Sequence, residues 1–110
     1  MFQINKQGAV PVVSGNAPLN HETRDQFFRV ASEQLKGAQP RLVVDLQQVP
    51  LLDSAGLESL LDLRDAFLAH GGSLQIAGAG PLCRDILVAS GVAEHFALFD
   101  NLSAAVGSYS

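Results

Sequence analysis

Short apolar runs alternate with longer amphipathic ones along this chain, and the alternation predicts strands separated by helices. Phe2 to Lys6 switches between apolar and polar at each step, as a half-buried strand does. Gln7-Gly8 predicts a turn, and Ala9 to Val13 a second strand that pairs with the first as a hairpin. Pro11 lacks a ladder donor, which favours an edge or a bulge for that strand. Ser14 to Asn20 reads as a loop from its Gly, Asn and Pro content. Asn20 is expected to cap a helix with Glu22 in its first turn. Phe27, Phe28, Ala31 and Leu35 would share one face of it, and Gly37 and Pro40 would end it.

Leu42 to Leu46 is apolar except for Asp45, the pattern of a strand covered on both faces. The stretch from Leu57 to His70 predicts a second helix, with Leu57, Leu60, Leu61, Phe67 and Leu68 inward and Glu58, Asp62 and Asp65 as an acidic stripe. Gly71-Gly72 ends it, and Ser73 to Ala77 is the next strand. Gly78-Ala79-Gly80-Pro81 is a tight turn with Pro81 suited to the first helical position. Leu82 to Ser90 is a short helix closed by Gly91. Phe96 to Phe99 is a last strand, and Asp100 is expected to cap a small helix carrying Leu102, Ala105 and Val106. Strands separated by helices from residue 41 onward imply βαβ crossovers. The fold class expected is α/β: a mixed, mostly parallel sheet packed against helices.

Length and composition narrow the choice. The 110 residues suit one domain, 1–110. Hydrophobic residues make up 47% and charged residues 16%, a globular composition. No apolar run approaches the ~18 residues of a bilayer span, and the start shows no signal architecture, so a cytoplasmic location without membrane insertion is expected. A net charge of −4 without a basic run argues against nucleic acid as partner. The single cysteine, Cys83, forms no internal disulfide and reads as a small buried apolar residue.

The candidate chemistry lies between the third strand and the second helix, at Leu51-Leu52-Asp53-Ser54-Ala55-Gly56-Leu57. A hydroxyl at such a turn stands beside unpaired backbone N–H groups. Ser54 is therefore a candidate N-cap and also a candidate place for an anionic group. Asp53 is a turn acceptor or a recognition residue, and Gly56 permits a close approach. A serine hydrolase would need Ser54 joined to His21, His70 or His95, but there is no Gly-x-Ser-x-Gly elbow. No spacing resembles a metal site. Gly78-Ala79-Gly80 lacks the rest of a dinucleotide fingerprint or phosphate loop. No catalytic residue, cofactor or metal is expected.

Asp53-Ser54-Ala55-Gly56-Leu57 resembles the Asp-Ser-x-Gly-Leu signature of STAS domains, typified by bacterial anti-sigma factor antagonists. The context also matches: the strand and Val49-Pro50-Leu51-Leu52 before it, then the Leu-rich helix, Gly71-Gly72 and a strand after it. The resemblance covers nearly the whole chain and independently implies an α/β STAS-like domain. It implies that Ser54 is the phosphoacceptor, and that Asn20, Asp53, Ser54, Ala55, Gly56 and Glu58 form a partner surface. The family's usual Gly-x-Leu-Asp loop is replaced by the longer Gly15-Asn16-Ala17-Pro18-Leu19-Asn20, without an acid. The function implied is phosphorylation-controlled partner switching without enzymatic activity. Unmodified protein would bind an anti-sigma factor that is also a serine kinase, and a serine phosphatase would reset Ser54. The alternative is a STAS docking subunit of an ATP-driven phospholipid transport complex.

Overall fold

A computed structural model describes residues 1–109. Its strands are β1 (Phe2–Gln7), β2 (Val10–Gly15), β3 (Arg41–Asp45), β4 (Ser73–Ala77) and β5 (Ala97–Phe99). Its α-helices are α1 (Arg24–Ser32), α2 (Ser54–Ala69), α3 (Pro81–Ala89) and α4 (Leu102–Gly107), with a 3-10 turn at Val92–His95 before β5. The five strands form one sheet in the order β1-β2-β3-β4-β5. β1 and β2 are antiparallel; every later pairing is parallel. The molecule is a small α/β domain with a mixed, mostly parallel sheet, as expected.

Because the order advances one strand at a time, right-handed crossovers place α1, α2 and α3 on the same face. There Phe27, Leu60, Leu63, Phe67, Cys83 and Leu87 meet Val13, Leu42, Val44, Leu74 and Ile76 in the main core. The rings of Phe2 and Phe27 meet edge-on with centroids 5.2 Å apart, which ties β1 to α1. Alternation along each strand sends Val12, Val43 and Ala77 to the opposite face, under Ala105 of α4. This double covering explains the unbroken apolar run in β3.

Several boundaries differ from the sequence reading. β2 is an inner strand rather than an edge, but its ladder with β3 begins at Val12, so Pro11 lies before it. α1 starts at Arg24 and ends at Ser32, ahead of Gly37 and Pro40. Leu63 is fully buried while Leu68 is 49% exposed, so the buried face of α2 follows Gly56, Leu60, Leu63 and Phe67 rather than reaching Leu68. The α2 end is sealed as expected: Gly71 takes φ +74° and the Gly72 amide donates to the Phe67 carbonyl at 2.8 Å. Asn101, not Asp100, caps α4, accepting the Ala104 amide at 2.9 Å.

Candidate functional site

The α2 N-terminus is built from two loops at the carboxyl ends of β2 and β3. They are joined by a parallel bridge between Leu19 and Leu52. The Leu19 amide donates to the Leu51 carbonyl at 3.0 Å, and the Asp53 amide to the Leu19 carbonyl at 3.3 Å. Leu19 and Leu52 are buried, so apolar packing holds the same contact.

Asp53, rather than Ser54, is the N-cap. Its backbone is extended, at φ −104° and ψ −176°, and its Oδ1 accepts the Gly56 amide at 2.8 Å. Its Oδ2 accepts the His21 amide at 3.2 Å, and the His21 ring nitrogen Nδ1 lies 3.7 Å from the same oxygen. One carboxylate thus ties the helix start to the neighbouring loop. The Gly56 N–H holds the Asp53 carboxyl below its ordinary value of 3.8; partial burial opposes this and the His21 contacts reinforce it. Gly56 is buried, and a β-carbon there would run into the Leu19 carbonyl. Its absent side chain is what lets the two loops touch.

Asn20 acts one turn ahead of the helix it was expected to cap. Its Oδ1 accepts the Glu22 and Thr23 amides at 2.9 and 3.1 Å, and Thr23 Oγ1 accepts the Asn20 amide at 3.1 Å. Thr23 Oγ1 also donates to the Pro18 carbonyl at 2.7 Å. This reciprocal pairing resembles a capping box, and Asn20-x-x-Thr23 is its legible sequence signal.

With Asp53 as cap, Ser54 is the first helical residue, and it is exposed. Ala55 is half-buried beside it. Glu58 is exposed one turn on, and its Oε1 lies 3.8 Å from Nη1 of Arg24 on α1. Asn20, Asp53, Ser54, Ala55, Gly56 and Glu58 therefore all belong to one end of the sheet and the start of α2. The sequence reading missed the His21–Asp53 contact and the Arg24–Glu58 pair, for which spacing along the chain offers no signal. His70 sits at the far end of α2, about 24 Å along the helix axis from Ser54. Its Nδ1 is 2.9 Å from the Ala66 carbonyl. The His95 carbonyl accepts from Arg64 Nε at 2.8 Å. The three histidines thus lie at separate places. Among the described residues no group of three metal-ligating side chains converges.

The STAS-domain family model matches residues 1–105. The chain belongs to the STAS-domain family. Three solved structures illustrate the shared fold. An anti-sigma factor antagonist from Mycobacterium paratuberculosis is 23% identical, with TM-score 0.86 over 98% of this chain and 92% of that one. The Bacillus cell fate determinant SpoIIAA in its phosphorylated form is 18% identical, with TM-score 0.76 over 100% of both chains. A sulfate transporter family protein from Wolinella succinogenes is 18% identical, with TM-score 0.77 over 90% of this chain and 83% of that one. No curated protein sequence matches.

Proposed function

We propose that this STAS domain is a bacterial, cytoplasmic anti-sigma factor antagonist that switches partners according to phosphorylation of Ser54. The observation that carries the reading is the division of labour at the α2 start. Asp53 caps the helix, which leaves the exposed Ser54 hydroxyl free of that duty. The phosphorylated SpoIIAA structure, which shares the fold, adds support. Unmodified protein binds an anti-sigma factor that is also a serine kinase, through the surface around Asn20, Asp53, Ala55 and Glu58, with the buried Gly56 holding the two loops together beneath it. The kinase supplies ATP: its γ-phosphoryl group passes to Ser54 Oγ, the hydroxyl proton leaves to a base on the kinase, and ADP remains. The new charge, roughly −1.5 to −2 at pH 7, is tolerated at a helix N-terminus but disrupts the docked surface. A serine phosphatase restores the hydroxyl. The domain itself catalyses nothing in this scheme. Incubation with the cognate kinase and ATP, followed by mass-spectrometric mapping, tests it. Phosphate on Ser54 is expected; phosphate elsewhere with Ser54 unmodified overturns it.

The likeness to the sulfate transporter family protein favours one second reading: a docking subunit of a transport complex, of which an ATP-driven phospholipid transporter is one form. The same surface then contacts a transporter component, and Ser54 needs no modification. Copurification separates the two: an anti-sigma factor in one case, a transporter ATPase or permease in the other. No helix among the described residues is long and apolar enough to cross a membrane.

A further inference from the structure

Ser54 and Glu58 are four residues apart on α2, so they are neighbours on one helical face, with Cβ atoms about 5–6 Å apart. Arg24, the first residue of α1, reaches that face from the other helix. Its Nη1 lies 3.8 Å from Glu58 Oε1, and its Nε lies 3.8 Å from Asp25 Oδ1. Both distances exceed hydrogen-bond range, so the guanidinium is held loosely by two carboxylates and gripped by neither. It also borders an open groove of about 300 Å³ between α1 and α2, with Phe28, Arg29, Ser59 and Asp62 on its walls, which leaves room to turn. Asp53 immediately precedes Ser54, and on the facing loop His21 lies 3.7 Å from the Asp53 carboxylate and 3.9 Å from that of Glu22.

On the reading that Ser54 carries phosphate, we propose that Arg24 is the residue that answers it, leaving Glu58 to take the phosphate and so unmasking the Glu58 carboxylate. A phosphate at Ser54 stands between Asp53 and Glu58, both repulsive. A guanidinium forms a fork that fits a phosphate with two parallel hydrogen bonds, a stronger arrangement than its present loose contacts. The exchange has two results. It offsets the repulsion within the domain, so the fold survives modification. It also enlarges the change that a partner meets: the surface gains the phosphate charge and a carboxylate no longer neutralised by Arg24. Arg24 is thus a positioning residue of the switch.

The test installs phosphoserine at position 54 during translation, so it needs no kinase and stands apart from whether Ser54 is the natural acceptor. Phosphorus NMR then follows the second ionisation of the phosphate, ordinarily near 6, in the full chain. In the chain with Arg24 the midpoint is expected below that of a phosphoserine peptide. Arg24→Gln should raise it by about half a pH unit, and Arg24→Lys by less. Glu58→Gln should lower it further, by removing a repulsive charge and freeing Arg24. Circular dichroism checks that each variant is folded, and Arg24→Lys keeps the test usable where Arg24→Gln is not. A midpoint indifferent to Arg24→Gln and Arg24→Lys in folded protein overturns the proposal. So does a Glu58→Gln variant that raises the midpoint.

Discussion

Gly56 lies so close to the carbonyl of Leu19 that no β-carbon fits between them. This contact joins the β2–α1 loop to the start of α2 and sets the position of the whole site. Gly56→Ala therefore puts two effects in opposition. Alanine is favoured over glycine inside a helix by about 0.8–1 kcal/mol. The collision is with backbone, and forcing extra volume into a closed contact typically costs about 1–3 kcal/mol. The collision should win. Urea unfolding is expected to show net destabilisation, with loss of the Leu19–Asp53 backbone bond seen as faster exchange of the Asp53 amide. A more stable variant with unchanged exchange would contradict the contact.

Asp53→Ala removes the acceptor of both the Gly56 and His21 amides. Loss of an N-cap typically costs about 1 kcal/mol. Asp53→Asn should recover the cap on Gly56, because asparagine caps equally well, but neither the charge nor the bond from the His21 amide, since its second polar atom is a donor. The pH dependence separates the two contributions. The folded carboxyl is held below its unfolded value of 3.8, first by the Gly56 N–H. Its contribution is present above the unfolded value and is lost as pH falls through the folded one. Unfolding free energy measured against pH should fall less steeply on the acid side for Asp53→Asn than for the parent. Identical acid limbs would remove Asp53 from the account.

The main elements were legible because their causes are local. The apolar run covered on both faces made β3, the run Ser73–Ala77 made β4, and Gly71-Gly72 closed α2 by a left-handed turn. What escaped was settled by tertiary contact. Pro11 marks an edge by propensity, yet β3 covers the strand from the next residue. Leu68 reads as core from its side chain alone, but the α2 face that meets the sheet runs through Leu63, and Leu68 lies off it. At the site, the pentapeptide placed Ser54 at the helix start but not its exact position, because Asp and Ser are both good caps. The cross-loop bonds to His21 and the cross-helix pair with Arg24 depend on how α1 packs beside α2, which no spacing in the chain encodes.

Cys83 is buried, and its Sγ donates to the Val49 carbonyl at 3.2 Å. Burial pushes the thiol up from its ordinary value of 9.0. Little thiolate forms at neutral pH, and the sulfur is out of reach of solvent. An aromatic disulfide reagent should therefore label native protein only as fast as the domain opens, and react promptly with one thiol in denaturant. Rapid stoichiometric labelling of the native protein would show that α3 does not close over Val49 as described.

Ser54→Asp should weaken binding to the anti-sigma partner by orders of magnitude and barely change stability. Had Ser54 been the N-cap, the substitution would alter the helix start. With Asp53 in that place, position 54 is an exposed first-turn residue. A carboxylate there gains about 0.3–1 kcal/mol from the helix macrodipole, partly cancelled by repulsion from Asp53 and Glu58. The net effect on unfolding should stay within about 0.5 kcal/mol, as for most surface changes. At a docked surface the balance is different, because the charge loses water against a partner face that was complementary to a neutral hydroxyl. An unpaired buried charge costs several kcal/mol, and each ~1.4 kcal/mol is a tenfold loss of affinity. Aspartate carries less charge than phosphate, so it should weaken binding less than true modification does. Ser54→Ala should bind like the parent and fail to respond to kinase and ATP. Partner affinity by calorimetry, beside thermal unfolding of both variants, checks the set. If Ser54→Asp binds as tightly as the parent, or loses binding only by unfolding, charge at position 54 is not the switch. Parent-like binding of both variants to a transporter ATPase would then point to the docking role.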